Sequence, residues 1–239
     1  MTKNNPNLKI KIFADGADKA SMLSLSKKSY IKGLTTNPTL MKKAGIKNYQ
    51  RFAKDVLSVI KTKPVSFEVF SDDFSEMERQ AKLIASWGRN AYVKIPVTNT
   101  KGKKSLNLIK KLSSAGVKLN VTAVFTLRQV REIVEALDSK TPSVISIFAG
   151  RIADTGRDPI PLMKKAKKII NKKSIIELLW ASPRELINLK QAADCGCDII
   201  TVQPQILEKL KLLNKNLDEF SLDTVKMFYE DAKTAGYTL

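Results

Sequence analysis

Short apolar runs alternate with amphipathic helical stretches along the whole chain, and this alternation constrains the fold more than any other feature. β-Branched and aromatic residues cluster in eight candidate strands, over residues 10–15, 33–35, 65–69, 91–95, 119–124, 144–148, 174–179 and 198–202. Helical patterns follow most of them, over residues 19–28, 49–61, 76–86, 103–115, 127–137, 160–171, 183–194 and 206–213. Repeated strand–helix alternation implies a parallel sheet with crossover helices. Eight strands in 239 residues fit a single (β/α)8 barrel, a TIM barrel of the α/β class, better than two open sheets.

One more helix is predicted at the C-terminus, over residues 221–236. Ser221 can cap its start and Gly236 can end it. Its apolar face either covers the barrel floor or packs on another subunit. That face comprises Leu222, Val225, Met227, Phe228 and Ala232. No linker or repeat interrupts the chain, so residues 1–239 are expected to form one domain.

Composition excludes several kinds of chemistry. The chain has no histidine, which removes Ser–His and Cys–His nucleophile pairs and the usual zinc sites. Acid–base work must therefore fall to Asp, Glu, Lys, Tyr or water. Cys195 and Cys197 are too few ligands for a metal site and are interpreted as reduced packing residues. No apolar run approaches a membrane span, and residues 1–6 lack the core of a signal peptide, which predicts a cytoplasmic protein.

The net charge of +19 would attract anions of any size, from sugar phosphates to nucleic acid. The lysines are scattered, however, and no nucleic-acid-binding motif accompanies them. A solvated basic surface is therefore the favoured interpretation, and nucleic acid is not the expected partner.

Lys94 stands out because it lies within an apolar strand, in the stretch AYVKIPVT that begins at Ala91. It is either an edge-strand lysine in water or an amine in a closed site. In a closed site, desolvation and neighbouring groups lower the pKa of a lysine and make it a Schiff-base nucleophile. The other strands favour the second interpretation, because polar residues recur at their C-terminal ends, where barrel enzymes carry their working groups. These are Asp15, Thr35, Thr36, Asn37, Glu68, Asn120, Thr122, Ser146 and Arg151.

Taken singly, several of these residues have structural explanations. Asp15 can cap the first helix, Asn37 can make a turn before Pro38, and Glu68 and Lys94 can form a buried ion pair on neighbouring strands. A single convergent ring accounts for all of them together, and a core filled only for stability would not need it.

Four motifs resemble those of the transaldolase family, which includes short transaldolases and fructose-6-phosphate aldolases. They are GLTTNPTL at 33–40, VKIPVT at 93–98, NVTAVF at 120–125 and SIFAGRI at 146–152. The resemblance runs from about Ile10 to Val202, and the final helix is also similar. It implies a class I mechanism on a (β/α)8 barrel, with neither metal nor cofactor.

The resemblance assigns a role to each matching residue. Lys94 resembles the Schiff-base lysine, and Asp15 resembles the acid/base that acts on the C4 hydroxyl. Glu68 and Thr122 resemble the pair that holds a water for proton transfer. The resemblance also implies a set of substrate-binding residues, in which Arg151 faces the sugar-phosphate end. These are Thr36, Asn37, Asn120, Ser146, Phe148 and Arg151.

Two positions separate the branches of the family. The aldolase branch typically has glutamine in place of Glu68 and tyrosine in place of Phe148, whereas this chain has the transaldolase residue at both. Physically, a tyrosine hydroxyl can help protonate the enamine and release dihydroxyacetone, and phenylalanine cannot. The expected activity is therefore transfer of a dihydroxyacetone unit between sugar phosphates.

The seventh strand departs from the family pattern of Ser-x-Arg, a phosphate grip. Leu179 and Ala181 occupy the Ser and Arg positions. A rebuilt site is expected from Arg151, Ser182 and Arg184, with Ser182 as an N-cap before Pro183 at the start of a helix.

Three alternatives remain open from the sequence. They are an aldolase that releases dihydroxyacetone, a transferase for a nonstandard sugar, and a non-catalytic basic barrel that binds anions or nucleic acid. The resemblance further implies a homo-oligomer, such as a pentamer or decamer, and a place in the pentose phosphate pathway of carbohydrate metabolism.

Overall fold

The computed structural model describes residues 9–171 and 175–239. Eight parallel strands form a closed barrel in chain order, with the first paired to the eighth, which confirms the predicted fold class. Edge strands are thereby eliminated in this sheet. The strands are β1 (Lys11–Asp15), β2 (Ile31–Thr35), β3 (Val65–Glu68), β4 (Ala91–Pro96), β5 (Leu119–Val124), β6 (Ser143–Ile147), β7 (Ile176–Trp180) and β8 (Ile199–Val202).

Most of the helices cover the outside of the barrel, whereas the last one, at the C-terminus, has no buried residue. The helices are α1 (Lys19–Ser26), α2 (Pro38–Lys43), α3 (Tyr49–Val59), α4 (Phe74–Ala85), α5 (Leu106–Ser114), α6 (Leu127–Ala136), α7 (Ala149–Ala153), α8 (Ile160–Ile170), α9 (Ile187–Asp194), α10 (Pro204–Leu207) and α11 (Leu217–Ala235). A short 3-10 helix, Glu208–Leu212, follows α10. None of the described helices is long and apolar enough to span a membrane.

The alternation of side chains along each strand divides the barrel into two cores. Outward-facing residues such as Val93, Ile95 and Val121 join the large core beneath the helices. Inward-facing residues form a small apolar cluster inside the barrel: Phe13, Val144, Leu179, Ala181 and Ile199, with Tyr92 and Phe148 packed against it. Polar residues occupy the inward positions nearer the C-terminal ends of most strands. A polar layer therefore lies between this apolar cluster and the C-terminal opening of the barrel.

Several predicted boundaries were wrong. The short helices α2 and α7 were not predicted, because six and five residues are too few to show a helical period. The eighth barrel helix is reduced to α10 and the 3-10 turn. The final helix begins at Leu217 rather than at Ser221, because the Asn216 side chain caps it, although Gly236 ends it as expected. The predicted start of the seventh strand at Ser174, and residues 1–6, lie outside the described residues.

The predicted helix start at Ser182 was also wrong. No helix begins there; α9 starts at Ile187, and its first residues have no side-chain cap. Ser182 instead adopts a left-handed backbone conformation, with φ of 58°. The Asn188 side chain accepts hydrogen bonds from the backbone N–H groups of Arg184 and Glu185. The connection after β7 is therefore a structured loop, stabilised by a side chain of the following helix.

Candidate active site

A cavity of about 420 Å³ opens at the C-terminal end of the barrel. Every strand, or the segment directly after it, contributes to its wall, as expected for a barrel enzyme. The residues that line it are Asp15, Thr35, Asn37, Pro38, Thr39, Leu40, Lys43, Glu68, Lys94, Asn120, Thr122, Ala123, Ser146, Phe148, Arg151, Ala181, Ser182, Arg184, Thr201 and Gln203. Eleven of the twelve predicted site residues are in this set, and Thr36 is the exception.

Lys94 is buried in the cavity wall, with only 7% of its surface exposed. Its Nζ lies 3.1 Å from Glu68 Oε2 and donates a hydrogen bond of 3.0 Å to the Thr36 carbonyl. Glu68 and Lys94 are direct register partners on β3 and β4, which explains the contact. The edge-strand interpretation of Lys94 was wrong, because the closed barrel gives β4 a neighbour on both sides. Glu68 is the carboxylate in direct contact with the Lys94 amine. Because Lys94 also lines the cavity, its amine is within reach of a bound molecule.

Asp15 faces the same cavity from the end of β1. Its Oδ1 accepts a hydrogen bond of 2.7 Å from the Thr35 hydroxyl, and Thr35 in turn contacts the Thr201 hydroxyl. Burial raises the pKa of the Asp15 carboxyl, although the positive charge of Lys94 and the Thr35 hydrogen bond act in the opposite direction. A carboxyl with a raised pKa is suited to both taking and returning a proton near neutral pH. Asp15 does not cap α1, since Asp18 does so.

Polar side chains of β3, β5 and β6 form one buried network. Asn120 Nδ2 donates to Ser66 Oγ at 3.1 Å, and Ser146 Oγ donates to Asn120 Oδ1 at 2.6 Å. Thr122 follows two residues after Asn120 on the same face of β5. The network fixes the orientation of the Asn120 amide, so the groups that face the cavity are preorganised.

The end of β5 is irregular at Ala123. The pairing of β5 with β6 shifts register between Val121 and Val124, and Ala123 adopts φ of 58°. Left-handed conformations cost an alanine free energy, and such strain is frequent at functional sites. The irregularity allows consecutive residues, Thr122 and Ala123, to line the cavity where regular alternation would send one of them outward.

Three side chains form a stack along the wall at β6. The Phe148 ring lies 5.6 Å from the Phe125 ring, centre to centre, and the Arg151 guanidinium lies 5.3 Å from the Phe148 ring centre. Arg151 is on α7, and Phe148 is the residue between the end of β6 and the start of that helix. Phe148 is thereby held between a hydrocarbon ring and a cation, and it presents no proton donor to the cavity.

The wall at β7 differs from the predicted phosphate site. Leu179 and Ala181 belong to the apolar cluster inside the barrel. Arg184 lines the cavity, but its guanidinium is ion-paired with Asp154, with Nε–Oδ1 of 3.0 Å and Nη2–Oδ2 of 2.5 Å. The pair raises the pKa of Arg184 and holds that of Asp154 below its usual range. Ser182 and Arg184 are thus present in the cavity wall, and the charge of Arg184 is already compensated.

The Thr36 side chain points away from the cavity, contrary to its predicted position. Its hydroxyl donates to the Ser66 carbonyl at 2.9 Å and is fully buried. The strand alternation accounts for this result, because Thr35 faces inward and its neighbour must face outward. Thr36 contributes to the site through its carbonyl, which accepts the hydrogen bond from Lys94.

Asn37 has two roles in the structure. Its Oδ1 accepts a hydrogen bond from Leu40 N at 3.0 Å and so caps α2, while the residue also lines the cavity. The interpretation of Asn37 as a residue of the turn before Pro38 and its assignment to the site are therefore compatible.

Sequence reasoning missed several residues. Tyr49, the first residue of α3, donates its hydroxyl to the Glu68 carbonyl and accepts from the Glu68 N–H, both at 2.8 Å. Burial raises the pKa of this phenol. Lys43, Thr201 and Gln203 also line the cavity, as does Thr35, which the sequence places among the polar strand-end residues without a role. Side-chain alternation along β8 would have indicated Thr201. Lys43 and Gln203 lie on or beside short helices with no sequence signal.

Comparisons with known proteins identify a family for this chain. The family model described as Transaldolase/Fructose-6-phosphate aldolase matches residues 12–239. "Probable transaldolase 2" of Listeria monocytogenes is 32% identical over 218 residues, covering 90% of this chain and 95% of the relative. "Probable transaldolase" of Chelativorans sp. is 34% identical over 221 residues, covering 91% and 97%. "Probable transaldolase" of Nitrosopumilus maritimus is 33% identical, covering 94% and 96%.

Solved structures share the fold at much lower identity. The 2,3-dimethylmalate lyase, a PEP mutase/isocitrate lyase superfamily member, superposes with a TM-score of 0.58 at 14% identity, covering 97% of this chain and 85% of the other. KGPDC from Streptococcus mutans superposes with a TM-score of 0.56 at 13% identity, covering 84% and 90%. At these identities the likeness concerns the barrel alone.

Fold and cavity together define a (β/α)8 barrel whose cavity is lined by a buried lysine and two carboxyl groups. Within that class, the chain belongs to the transaldolase/fructose-6-phosphate aldolase family, and it is an enzyme of the transaldolase type.

Proposed function

We propose that this protein is a transaldolase that moves a dihydroxyacetone unit from a ketose phosphate to an aldose phosphate through a Schiff base on Lys94. The observation that carries the proposal is the buried Lys94 amine, which faces the cavity 3.1 Å from Glu68 with Asp15 in the same wall. Donors of the expected class are fructose 6-phosphate and sedoheptulose 7-phosphate. Acceptors are erythrose 4-phosphate and glyceraldehyde 3-phosphate.

The first step joins Lys94 Nζ to C2 of the ketose. The amine must lose a proton before it attacks, and Glu68 Oε2 is the acceptor within reach. The carbonyl oxygen then leaves as water, with Glu68 and Thr122 holding the water that carries the proton. The product is a protonated imine, which acts as an electron sink.

Asp15 carries the next proton. As a carboxylate it takes the proton of the C4 hydroxyl, the C3–C4 bond breaks, and its electron pair moves into the imine to form an enamine. The aldose portion leaves as an aldehyde. The enamine carbon then attacks the aldehyde carbon of a second aldose, and Asp15 returns its proton to the oxygen that becomes the new hydroxyl. Water hydrolyses the resulting imine, which releases the new ketose and frees Lys94. The buried network of Asn120 and Ser146 is proposed to hold the hydroxyls of the retained unit.

Phe148 supports transfer over simple cleavage. The Phe125–Phe148–Arg151 stack places a ring without a hydroxyl in the wall, so this side chain cannot protonate the enamine. An enamine shielded from protonation persists until an aldose arrives. One observation favours a nonstandard sugar as a second candidate substrate: the apolar residues Leu179 and Ala181 at the family's phosphate grip.

Intact mass after borohydride reduction with fructose 6-phosphate tests the proposal. We expect an adduct of dihydroxyacetone mass on the wild type and none on Lys94→Met or Lys94→Arg. The arginine variant keeps a cation beside Glu68, so it controls for loss of the ion pair. Product analysis with and without erythrose 4-phosphate then separates transfer from release of dihydroxyacetone.

The other outcomes contradict the proposal in different ways. An adduct of whole-sugar mass would mean that the imine forms and the C3–C4 bond does not break. No adduct with several ketose phosphates, together with salt-sensitive micromolar RNA binding, would favour the non-catalytic basic barrel. If transfer is observed, we place the protein in the cytoplasmic pentose phosphate pathway.

We also propose that the protein is a homo-oligomer. Helix α11 has no buried residue along its 19 positions, and it exposes Val225, Phe228 and Tyr229. An apolar face that is exposed to water favours association with another surface.

A further inference from the structure

Four cationic side chains line the cavity, and three of them already interact with a protein group. The four are Lys43, Lys94, Arg151 and Arg184. Two of them, Lys94 and Arg184, form ion pairs with carboxylates. Arg151 packs over an aromatic ring and acts on Asp154 through its charge without forming a direct ion pair. The wall therefore has more positive charge than its own carboxylates neutralise, as a site for an anion requires.

Lys43 is the exception among the four. It lies in the last turn of α2 with an exposed side chain, and within residues 9–171 and 175–239 no ion pair, hydrogen bond or aromatic contact involves its amine. The remaining segments of the sequence, 1–8 and 172–174, contain no aspartate or glutamate. Its amine is therefore available to a bound anion.

The composition of the wall at β7 explains why a substrate phosphate would need a cation from another part of the cavity. Leu179 and Ala181 stand at the positions of the family's phosphate grip and are packed in the apolar cluster inside the barrel. Arg184 would have to leave Asp154, or share it, before its full charge could act on a ligand. Arg151 and Lys43 remain as the lining cations without a direct ion pair among the described residues, and of the two Arg151 is still close enough to Asp154 to lower the pKa of that carboxyl.

A second cavity of about 300 Å³ adjoins the first, and Lys43 lies at the boundary. Asp15, Leu40, Lys43 and Gln203 line both cavities. The charged groups of the second cavity are Asp15, Asp18 and Lys43, so carboxyl groups predominate there. In the main cavity four cations face two carboxyl groups. An anion on the Lys43 amine is thus favoured on the side of the main cavity.

We propose that Lys43 binds the phosphate of the sugar substrate and supplies an attraction that the seventh strand lacks. This inference rests on the proposed function, because it concerns the substrate of the same site. Lys43 acts as a point charge on a flexible side chain, as lysines do in other phosphate sites. It is a binding residue and takes no part in the bond-breaking steps.

The test compares Lys43→Met with Lys42→Met. Both lysines occupy the last turn of α2, so they lie at the same end of the helix dipole, but Lys42 does not line the main cavity. The first measurement is the fructose 6-phosphate concentration that gives half-maximal borohydride-trapped adduct. We expect this concentration to rise about tenfold in Lys43→Met, to remain unchanged in Lys42→Met, and to be largely restored in Lys43→Arg.

Two further measurements separate the inference from the proposed function. With unphosphorylated fructose, the two methionine variants should behave like the wild type. Titration calorimetry with inorganic phosphate needs no imine, and it should show weaker binding to Lys43→Met than to Lys42→Met even if the wild type forms no adduct. Absence of an adduct on the wild type would reject the proposed chemistry. Equal affinity of Lys43→Met and Lys42→Met for inorganic phosphate would instead reject the role of Lys43.

A third variant covers the alternative position for the phosphate. If Arg184→Met weakens the binding of fructose 6-phosphate and of inorganic phosphate while Lys43→Met weakens neither, the phosphate lies at the β7 wall and the inference is wrong. Lys42 and Lys43 are both exposed, so circular dichroism is expected to show wild-type folding for the variants at these two positions.

Discussion

Asp15 illustrates how single contacts set the chemistry of this cavity. Its carboxyl lies at the meeting point of β1, β2 and β8, where it accepts the Thr35 hydroxyl, which itself contacts Thr201. Burial raises its pKa, and the hydrogen bond from Thr35 limits that rise because the bond stabilises the charged form. The pH at which donor cleavage begins should therefore depend on Thr35.

We expect Thr35→Val to move the acid limb of the kcat/KM profile for donor cleavage to higher pH than in the wild type. Removal of a hydrogen bond to the carboxylate raises the pKa of Asp15, and the proposed cleavage step requires Asp15 as a carboxylate. Thr201→Val is the matched control, because it removes a hydroxyl at the same level and leaves the Thr35–Asp15 bond in place. Identical acid limbs in both variants would contradict this account of the pKa.

Most of the candidate residues could be located from the sequence because strand ends in a parallel barrel converge. Asp15, Glu68, Lys94 and Asn120 belong to strands with clear apolar patterns, and all four line the cavity. Thr36 was misplaced although strict alternation along β2 would have sent it outward. Their roles in catalysis remain predictions, since the structure gives their positions alone.

Charge compensation could not be read from the sequence. Arg184 and Asp154 are thirty residues apart, and their ion pair arises only when α7 and the loop after β7 come together. Lys43 drew no attention because α2 is too short to show a period, and nothing in its neighbours distinguishes it from forty-one other basic residues.

At the scale of elements, α7 and the loop after β7 form one unit of the cavity wall. Gly150 N donates to the Ala181 carbonyl at 3.2 Å, and a Cβ added at Gly150 would lie 1.5 Å from the Ser182 carbonyl oxygen. Only glycine permits this approach of two backbones. Arg151, Ser182 and Arg184 all depend on it, because they project from the two segments in contact.

We expect Gly150→Ala to destabilise the protein by about 3 kcal/mol, with a fall in Tm of roughly 6–12 °C, because one backbone segment must move. Gly16→Ala is the matched control: a Cβ there meets no atom within 4 Å, and its backbone is not left-handed. The measurement is thermal unfolding by calorimetry. A Tm for Gly150→Ala within a degree of the control would show that the loop accommodates the methyl group freely.

The helices also position the site from outside the barrel. Tyr49 of α3 both donates to and accepts from the backbone of Glu68, and it packs among the rings of Phe67, Phe70 and Trp87. This clamp fixes the end of β3 beside Lys94. Sequence periodicity predicts α3 but cannot indicate that its first residue reaches a strand end, since that contact depends on the packing angle between helix and barrel.

At the scale of the whole molecule, the barrel was predictable because every strand and long helix repeats the same local pattern. Closure of the sheet then follows from eight strands in chain order. The surroundings of α11 were not predictable, because its apolar face fits either the barrel floor or another subunit. The structure removes the first option within the described residues, since no residue of α11 is buried.

Charge distribution adds a reason for association between copies. Helix α11 carries five carboxylates and two lysines, in a chain whose net charge is +19. The carboxylates are Asp218, Glu219, Asp223, Glu230 and Asp231. An acidic helix with an exposed apolar face is complementary to the basic remainder of a second copy. The predicted pentamer or decamer is one form that such an assembly can take.

We therefore expect the wild type to sediment as an oligomer at micromolar concentration and Val225→Asp/Phe228→Asp to sediment as a monomer. Val225 and Phe228 are three residues apart on one face of α11, and two added carboxylates there would oppose burial in an interface. Lys226→Asp is the matched control, since it adds negative charge to the same helix without removing apolar surface. Analytical ultracentrifugation gives the masses, and borohydride trapping reports whether the separated barrel keeps its site. A wild-type monomer would refute the assembly, whereas dissociation of Lys226→Asp alone would show that charge rather than the apolar face holds the copies together.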